Sequence, residues 1–331
     1  MRTQTKSIDN VYIKSAFSSV GKKEGEGPLA PFFDAVYNDA SIGQQNWEMA
    51  ESNLLKTTIS GALTKAGKTP DETDIVFAGD LLNQCTASSF ALKELGIPFL
   101  GLYGACSTFV EGIITASMVI SGGFAQNALV CASSHFCSSQ KQYRFPLEYG
   151  EVRAPTSQWT VTGSGCSVLC NNGGVCRVKA VTPGKIVDFG ISDANNMGAA
   201  MAPAAADTIY THFSETGLSP DDYDYIVTGD LANVGSDILL ELLMKKGIDI
   251  SANHLDCGKM IFDTQSQNVA SGGSGCGCVA SVFCGYFFKK FLSSELNRIL
   301  LVATGALMSP SSVLVGEPIS GIAHAVSIER V

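Results

Sequence analysis

The chain has 331 residues, of which 45% are hydrophobic and 16% are charged, so we expect a globular protein with a large apolar core and about two domains. A net charge of −9 without a cluster of Lys and Arg argues against nucleic acid and anionic lipid as main partners. The 11 cysteines include no C-x-x-C pair, and no run resembles a membrane span or a secretory signal. These features predict an intracellular protein without a metal site.

Strands and helices alternate along the first half of the chain. The predicted elements are a strand at 11–13, a helix at about 46–66, a strand at 74–81, a helix at about 85–95, a strand at 97–102, a helix from Cys106 to about 120 and a strand at 128–133. Trp47 lies on the apolar stripe of the first helix and is expected in the core. This alternation predicts an α/β fold with a mostly parallel sheet.

The second half repeats this order of motifs. Asp74–Leu81 (DIVFAGDL) matches Asp224–Leu231 (DYIVTGDL) 150 residues later. Gly104–Cys106 matches Gly275–Gly277 at an offset of 171 residues. We therefore predict two α/β halves, residues 1–180 and 181–331, related by a pseudo-twofold axis. Such an axis would bring the two glycine-rich helix starts together in the middle of the molecule.

Cys106 lies where an apolar run ends and a helical pattern begins. Unpaired N–H groups in the first turn of a helix favour negative charge, either a thiolate or a bound carboxylate. The position therefore suits a catalytic nucleophile or the floor of an anion pocket. A small buried core residue is the third alternative.

These motifs resemble the thiolase and β-ketoacyl synthase superfamily. Gly104–Cys106 matches the nucleophile turn, Gly163–Gly165 the glycine-rich strand that closes the first half, and Ala270–Cys278 the second helix entry. Gly321–Arg330 resembles the C-terminal strand. The resemblance implies a thiolase-like fold, in which two pseudo-symmetric mixed-sheet halves form α/β/α/β/α layers, and such proteins are usually homodimers.

A closer resemblance, to the stage V sporulation protein AD family, covers nearly the whole chain. Its most specific motif is Met197–Thr208, and it also rests on Asn46–Glu51, Ala78–Asn83, Gly101–Thr108 and Val302–Leu307. The resemblance implies binding of dipicolinic acid (pyridine-2,6-dicarboxylate), its uptake into the forespore and its release at germination. It also implies membrane partners of the stage V sporulation protein A group, and a peripheral location at the spore inner membrane.

The catalytic pattern of the condensing enzymes is incomplete in this sequence. Their thiolate needs His, or His with Asn, aimed at the reacting centre. The chain has Gly229-Asp230 at one of these positions and no His or Asn within Gly272–Ser274. We therefore favour a non-catalytic binding protein. The alternatives are an acyltransferase with Cys106 as nucleophile and a scaffold with an empty pocket.

In the favoured interpretation, the two opposed helix starts present N–H groups to the two carboxylates of the ligand, without a cofactor. Asp80 and Asp230 would repel a dianion, so they either face away and cap helices or a calcium ion intervenes. His135 and His324 end strands that point inward, whereas His212 has polar neighbours and is expected at the surface. The predicted ligand-binding residues are Asp80, Gly104, Cys106, Ser133, His135, Gly163, Asp230, Gly272, Gly273, Ser274 and His324.

Overall fold

The computed structural model describes residues 3–143 and 153–331. The strands are β1 (Lys6–Ser7), β2 (Tyr12–Gly21), β3 (Ala35–Tyr37), β4 (Ile75–Gly79), β5 (Phe99–Gly101), β6 (Asn127–Ser134), β7 (Trp159–Thr160), β8 (Gly163–Cys170), β9 (Cys176–Thr182), β10 (Tyr225–Thr228), β11 (His254–Asp256), β12 (Gly273–Ser274), β13 (Arg298–Leu307) and β14 (Ser320–Arg330). The helices are α1 (Lys22–Gly25), α2 (Trp47–Ala66), α3 (Thr86–Leu92), α4 (Thr108–Ser121), α5 (Phe136–Tyr143), α6 (Met197–Thr216), α7 (Ala232–Met244), α8 (Cys257–Met260), α9 (Cys276–Val282), α10 (Phe288–Leu292) and α11 (Pro310–Leu314).

The longest helices of the two halves, α2 and α6, begin and end in the same way. The side chains of Asn46 and Asn196 accept hydrogen bonds from N–H groups in the first turn, as Asn does at the start of many helices. Gly67 and Gly217 end the helices in the left-handed conformation, with φ of 66° and 72°. The helix predicted at 46–66 is confirmed, and its capping recurs 150 residues later.

The strand order confirms the predicted repeat. The first half has the order β5-β4-β6-β8-β2, and the second half has the order β11-β10-β13-β14-β9. In both halves the first three strands are parallel to one another and the last two pairings are antiparallel. A short antiparallel pairing of β2 with β9 joins the two halves into one continuous sheet path. The fold is thus a thiolase-like mixed α/β fold.

One strand near the junction is longer than the sequence predicts. The strand predicted at 11–13 extends through Gly21 as β2, where Ser15, Ser18 and Ser19 are buried. Because serine is polar, the segment lacks the continuous apolar run that predicts a buried central strand. The boundary predicted between residues 180 and 181 falls within β9, and the division into two domains stays a prediction.

Helices α4 and α9 form the central layer. Helix α4 contacts β4 and β6 of the first half and also β13 and β14 of the second half. Every residue of α9 is buried, and the helix continues through a π-helical turn into α10. A Cβ atom at Gly165 of β8 would lie 2.1 Å from the Ala280 carbonyl oxygen, so glycine allows α9 to approach β8 closely. Both helix starts therefore lie inside the molecule. No helix in the described residues is long and apolar enough to cross a membrane.

Candidate functional site

Cys106 lies in a tight turn that leads into α4. Ala105–Ser107 forms a single 3-10 turn, and Ala105 has a φ of 51°, a conformation that residues other than glycine seldom adopt. The Gly104 carbonyl accepts a hydrogen bond from the Ser107 hydroxyl at 2.6 Å, and the Gly104 N–H donates to Thr108 Oγ1 at 3.2 Å. Gly104 and Ala105 are half-buried, whereas only 6% of Cys106 is exposed.

The start of α9 meets this turn, as the repeat predicted. The Cys276 thiol donates to the Ala105 carbonyl oxygen at 2.9 Å, and Cys106 Sγ lies 3.7 Å from Ser274 Oγ. Gly275 has a φ of 114°, which glycine alone adopts readily, and this conformation turns the chain from β12 into α9. The two glycine-rich helix starts are therefore in direct contact at the centre.

Asp230 anchors the second-half side of the centre. Its Oδ2 accepts hydrogen bonds from Ser274 Oγ at 2.9 Å and from the Gly275 N–H at 3.0 Å, and its Oδ1 accepts one from Thr304 Oγ1 at 2.7 Å. Burial raises the pKa of Asp230 despite these donors. Burial, followed by the nearby Asp230 carboxylate, holds the pKa of Cys106 well above its ordinary value. Both effects favour the neutral thiol of Cys106 over the thiolate.

Two N–H groups at the start of α9 already have partners within the protein. The Gly275 N–H donates to Asp230, and the Gly277 N–H donates to Ser134 Oγ at 3.0 Å. A ligand carboxylate could bind these two groups only by displacing Asp230 and Ser134. The symmetric cradle expected from two opposed helix starts is therefore not formed on this side.

Asp80 accepts hydrogen bonds from the segment that leads into α3, and its charge adds to burial in raising the pKa of Cys276 at the centre. Its Oδ1 accepts a hydrogen bond from the Leu82 N–H at 2.9 Å, and its Oδ2 accepts from the N–H and hydroxyl of Ser88 at 2.8 and 2.6 Å. The sequence left two alternatives open for Asp80, helix capping and an intervening calcium ion. Asp80 caps a helix, α3. Asp230 does not cap α7, whose first N–H groups donate to Asp256 instead.

The ring nitrogens of His135 and His324 are bonded away from Cys106. His135 Nε2 donates to the Ala40 carbonyl at 2.8 Å, and its Nδ1 accepts from the Cys137 N–H at 3.1 Å. His324 Nδ1 accepts from the Gly184 N–H at 3.0 Å. Burial lowers the pKa of His135, and that of His324 to about 4. Neither imidazole is hydrogen-bonded to the thiol.

Two expectations about side-chain exposure were wrong. His212 was expected at the surface, yet it is fully buried between Thr182 Oγ1 at 2.9 Å and the Tyr223 hydroxyl at 2.7 Å. These two partners come from distant parts of the chain, so the polar neighbours of His212 in sequence were misleading. Trp47 was expected in the core, yet it is partly exposed and stacks against His135, with ring centroids 6.0 Å apart.

The remaining predicted residues are buried and packed against protein atoms. The Ser133 hydroxyl donates to Glu51 Oε1 at 3.0 Å. An added Cβ at Gly272 would lie 2.7 Å from the Gly258 carbonyl oxygen, so packing alone requires glycine there, and at Gly163 and Gly273 it would lie about 3 Å from side-chain methyl groups. Contacts of these residues with a ligand stay a prediction.

Sequence reasoning missed four polar residues near the centre. They are Glu51, Ser134, Asp256 and Thr304. One signal was available for Glu51, because an acidic residue on the apolar stripe of α2 must be buried with partners. No group of three His, Cys, Asp or Glu side chains in the described ranges is arranged to hold a metal ion. The sequence also has a charged loop with Arg144 and Glu148 that could form a dimer or partner surface, and these two residues lie outside the described residues.

Two solved structures with a similar fold are 3-oxoacyl-(acyl carrier protein) synthases III. A 3-oxoacyl-(acyl carrier protein) synthase III from Xanthomonas oryzae pv. oryzae aligns with a TM-score of 0.60 and 16% identity, covering 97% of this chain and 100% of its own. The 3-oxoacyl-[acyl-carrier-protein] synthase III from Aquifex aeolicus VF5 aligns with a TM-score of 0.55 and 13% identity, covering 98% of this chain and 99% of its own. At these identities the similarity defines the fold class alone.

Sequence comparison gives the family within this class. Residues 2–329 match the family described as Stage V sporulation protein AD (SpoVAD). The chain is also 44% identical over 320 residues to Stage V sporulation protein AD of Bacillus subtilis (strain 168), covering 97% of this chain and 94% of that protein. The chain therefore belongs to the stage V sporulation protein AD family.

Proposed function

We propose that this protein binds dipicolinic acid without chemical turnover, and that the binding serves uptake into the forespore and release at germination. The observation that carries this proposal is the contact of Cys106 with Ser274, whose hydroxyl donates to the Asp230 carboxylate. A condensing enzyme needs a base or cation that favours the thiolate at this position. A buried carboxylate has the opposite effect and favours the neutral thiol.

A neutral thiol suits the wall of a binding site. Cys106 is small and polarisable, and it lies at the start of α4, whose 14 residues favour an anion near Gly104–Ser107. The α4 dipole favours one carboxylate of a flat aromatic diacid at this end, where the Glu111 carboxyl of the first turn already lies beside Gly104. The second carboxylate would be repelled if it approached Asp230. The ligand is therefore either bound with its second carboxylate directed away from Asp230 or bound as its calcium chelate.

We further propose that the protein works at the spore inner membrane as a peripheral component. Its partners would be integral membrane proteins of the stage V sporulation protein A group, and the protein itself could act as a homodimer. The absence of a membrane-spanning helix among the described residues is compatible with a peripheral association. This part of the proposal depends on family membership.

The experiment is isothermal titration calorimetry of the purified chain with dipicolinic acid, in parallel runs with calcium and with a chelator. Saturable binding in either run is the expected result, and flat titrations in both would reject the proposal. The two runs also distinguish the free acid from the calcium chelate.

Acyl transfer is tested separately with a panel of acyl-CoA thioesters. An acyl mass on Cys106 in the intact chain would support the acyltransferase alternative, and we expect none. The Cys106→Ala variant should retain most of its affinity for dipicolinic acid, since the thiol is only part of the wall.

A further inference from the structure

Three hydrogen-bond donors converge on one carbonyl oxygen beside the site. The Leu81 oxygen accepts from the Tyr143 hydroxyl at 2.8 Å, from Gln142 Nε2 at 2.9 Å and from the Tyr103 hydroxyl at 3.1 Å. A carbonyl oxygen has two lone pairs, so two donors satisfy it. The Tyr103 hydroxyl also lies 3.3 Å from the Tyr143 hydroxyl, so when Tyr143 and Gln142 donate to Leu81, Tyr103 donates to the Tyr143 oxygen and is not needed at Leu81.

Tyr103 is the donor that the protein can release most easily. Gln142 is held at its other end, because its Oε1 accepts the Asn83 N–H at 3.0 Å. Tyr143 makes the shortest bond to Leu81, and its hydroxyl lies in a part-buried position. Tyr103 makes the longest bond, and 50% of the residue is exposed. Its hydroxyl could leave the Leu81 oxygen without leaving that oxygen unsatisfied.

Tyr103 also lies next to the turn that holds Cys106. It directly precedes Gly104, and exposure falls along the chain from Tyr103 through the half-buried Gly104 and Ala105 to the buried Cys106. The backbone before Tyr103 is held firmly, since the Leu102 N–H donates to the Ala78 carbonyl at 2.9 Å. The tyrosine is thus a releasable donor on a fixed backbone at the outer end of the turn.

We infer that Tyr103 is a specificity-determining residue that donates its hydroxyl to the carboxylate of dipicolinic acid that does not enter the Cys106 turn. This inference rests on the proposed function. On binding, the Tyr103 hydroxyl turns from its partners within the protein to the ligand, while Tyr143 and Gln142 keep the Leu81 oxygen satisfied. The half-exposed ring offers a flat face to the pyridine ring. A neutral phenol gives the second carboxylate a partner away from Asp230.

The test compares Tyr103→Phe with Tyr210→Phe by calorimetry with dipicolinic acid. Both substitutions remove one hydroxyl and keep the ring, and Tyr210 is a partly exposed residue of α6 in the other half. We expect Tyr103→Phe to weaken binding about tenfold, as for the loss of a hydrogen bond to a charged group. Tyr210→Phe should bind like the wild type, and both variants should keep the wild-type melting temperature.

A second variant covers the case in which Tyr103→Phe fails to fold. Tyr143→Phe leaves Leu81 with only Gln142 and Tyr103 as donors, so Tyr103 is then needed at Leu81 and affinity should again fall. Wild-type affinity in both variants would overturn the role of Tyr103 while leaving the proposed function intact. No binding by the wild-type chain would instead reject the proposed function, and this inference with it.

Discussion

The two halves of the molecule share one strand order but use their strand-end carboxylates differently. In the first half, Asp80 follows β4 and accepts the N–H groups of Leu82 and Ser88, so its charge is used to cap α3. In the second half, Asp256 at the end of β11 accepts the N–H groups that begin α7. Asp230, the counterpart of Asp80, is thereby free to face the centre. The asymmetry of the site comes from this exchange of roles.

The long helices differ in a related way. Glu51 on α2 is fully buried and accepts hydrogen bonds from Ser133 Oγ at 3.0 Å and Ser138 Oγ at 2.7 Å. The matched position on α6, 150 residues later, is Met201. The first half therefore buries an additional acid where the second half buries an apolar side chain. A symmetric scaffold can thus support a one-sided site when a few polar residues differ.

We expect the largest effect on stability from removing the carboxylate of Asp256, which binds the first N–H groups of α7 in place of Asp230. Asp256 accepts four hydrogen bonds, from Thr228 Oγ1 and from the N–H groups of Leu231, Ala232 and Lys259. Asp256→Ala would leave these donors without their acceptor, so we expect the free energy of unfolding to fall by about 3–5 kcal/mol. Urea denaturation followed by circular dichroism measures the change.

The matched control for this change is Asp263→Ala. Asp263 also accepts hydrogen bonds from its own loop, from the Gln265 N–H and the Ser266 hydroxyl, but it is exposed. Water replaces lost partners at an exposed site, so the control should cost about 0.5 kcal/mol or less. Equal losses in the two variants would contradict the special role assigned to Asp256.

The second prediction concerns Glu51, the buried acid whose counterpart in the second half is Met201. Burial, followed by the charge of Asp80, raises the pKa of Glu51 from 4.5 to about 8. The folded state therefore holds a proton that the unfolded state loses, and this contribution to stability decreases as the pH rises from about 4.5 to about 8. Glu51→Gln should make the decline of the free energy of unfolding with pH less steep, by up to about 1.4 kcal/mol per pH unit.

Denaturation midpoints measured at half-unit steps between pH 5 and 8 would reveal this change of slope. Glu241→Gln, on the exposed side of α7, serves as the control and should follow the wild-type slope. Parallel slopes for wild type and Glu51→Gln would mean that Glu51 is already ionised in the folded state at pH 5.

The sequence predicted the fold well because apolar strands and glycine turns recur in the same order in both halves. The matched motifs 74–81 and 224–231 became β4 and β10, and the matched glycine turns meet at the centre. The resemblance to the thiolase class added the layer order. Burial of an apolar run is a local property, so a single sequence carries it directly.

The orientation of the polar side chains was much harder to predict. Asp80 and Asp230 stand at matched positions in matched motifs, yet one caps a helix and the other bonds Ser274 and Thr304. The difference depends on Asp256, a third residue on another strand. His212 shows the same difficulty, since its partners Thr182 and Tyr223 are 30 and 11 residues away. Such contacts are set by the tertiary fold and not by local pattern.

The smallest expected effect tests which aspartate acts on Cys106. Asp230→Asn removes the carboxylate charge next to the thiol and keeps a side chain of similar shape. The pKa of Cys106 should fall, but burial is the larger cause of its elevation and remains in place. A fall of about one unit would raise the thiolate fraction, and the rate of alkylation by iodoacetamide, about tenfold. Mass spectrometry of the digested protein assigns the alkylation to Cys106.

Asp80→Asn is the control that makes this a comparison of the two halves. Asp80 is bonded to Leu82 and Ser88, and its charge raises the pKa of Cys276, whereas the Asp230 charge raises that of Cys106. Alkylation of Cys106 should therefore stay at the wild-type rate in Asp80→Asn. Equal acceleration in both variants would mean that the site loosens generally when either carboxylate is lost. Acceleration in Asp230→Asn alone would establish that the second half determines the protonation state of the first-half cysteine.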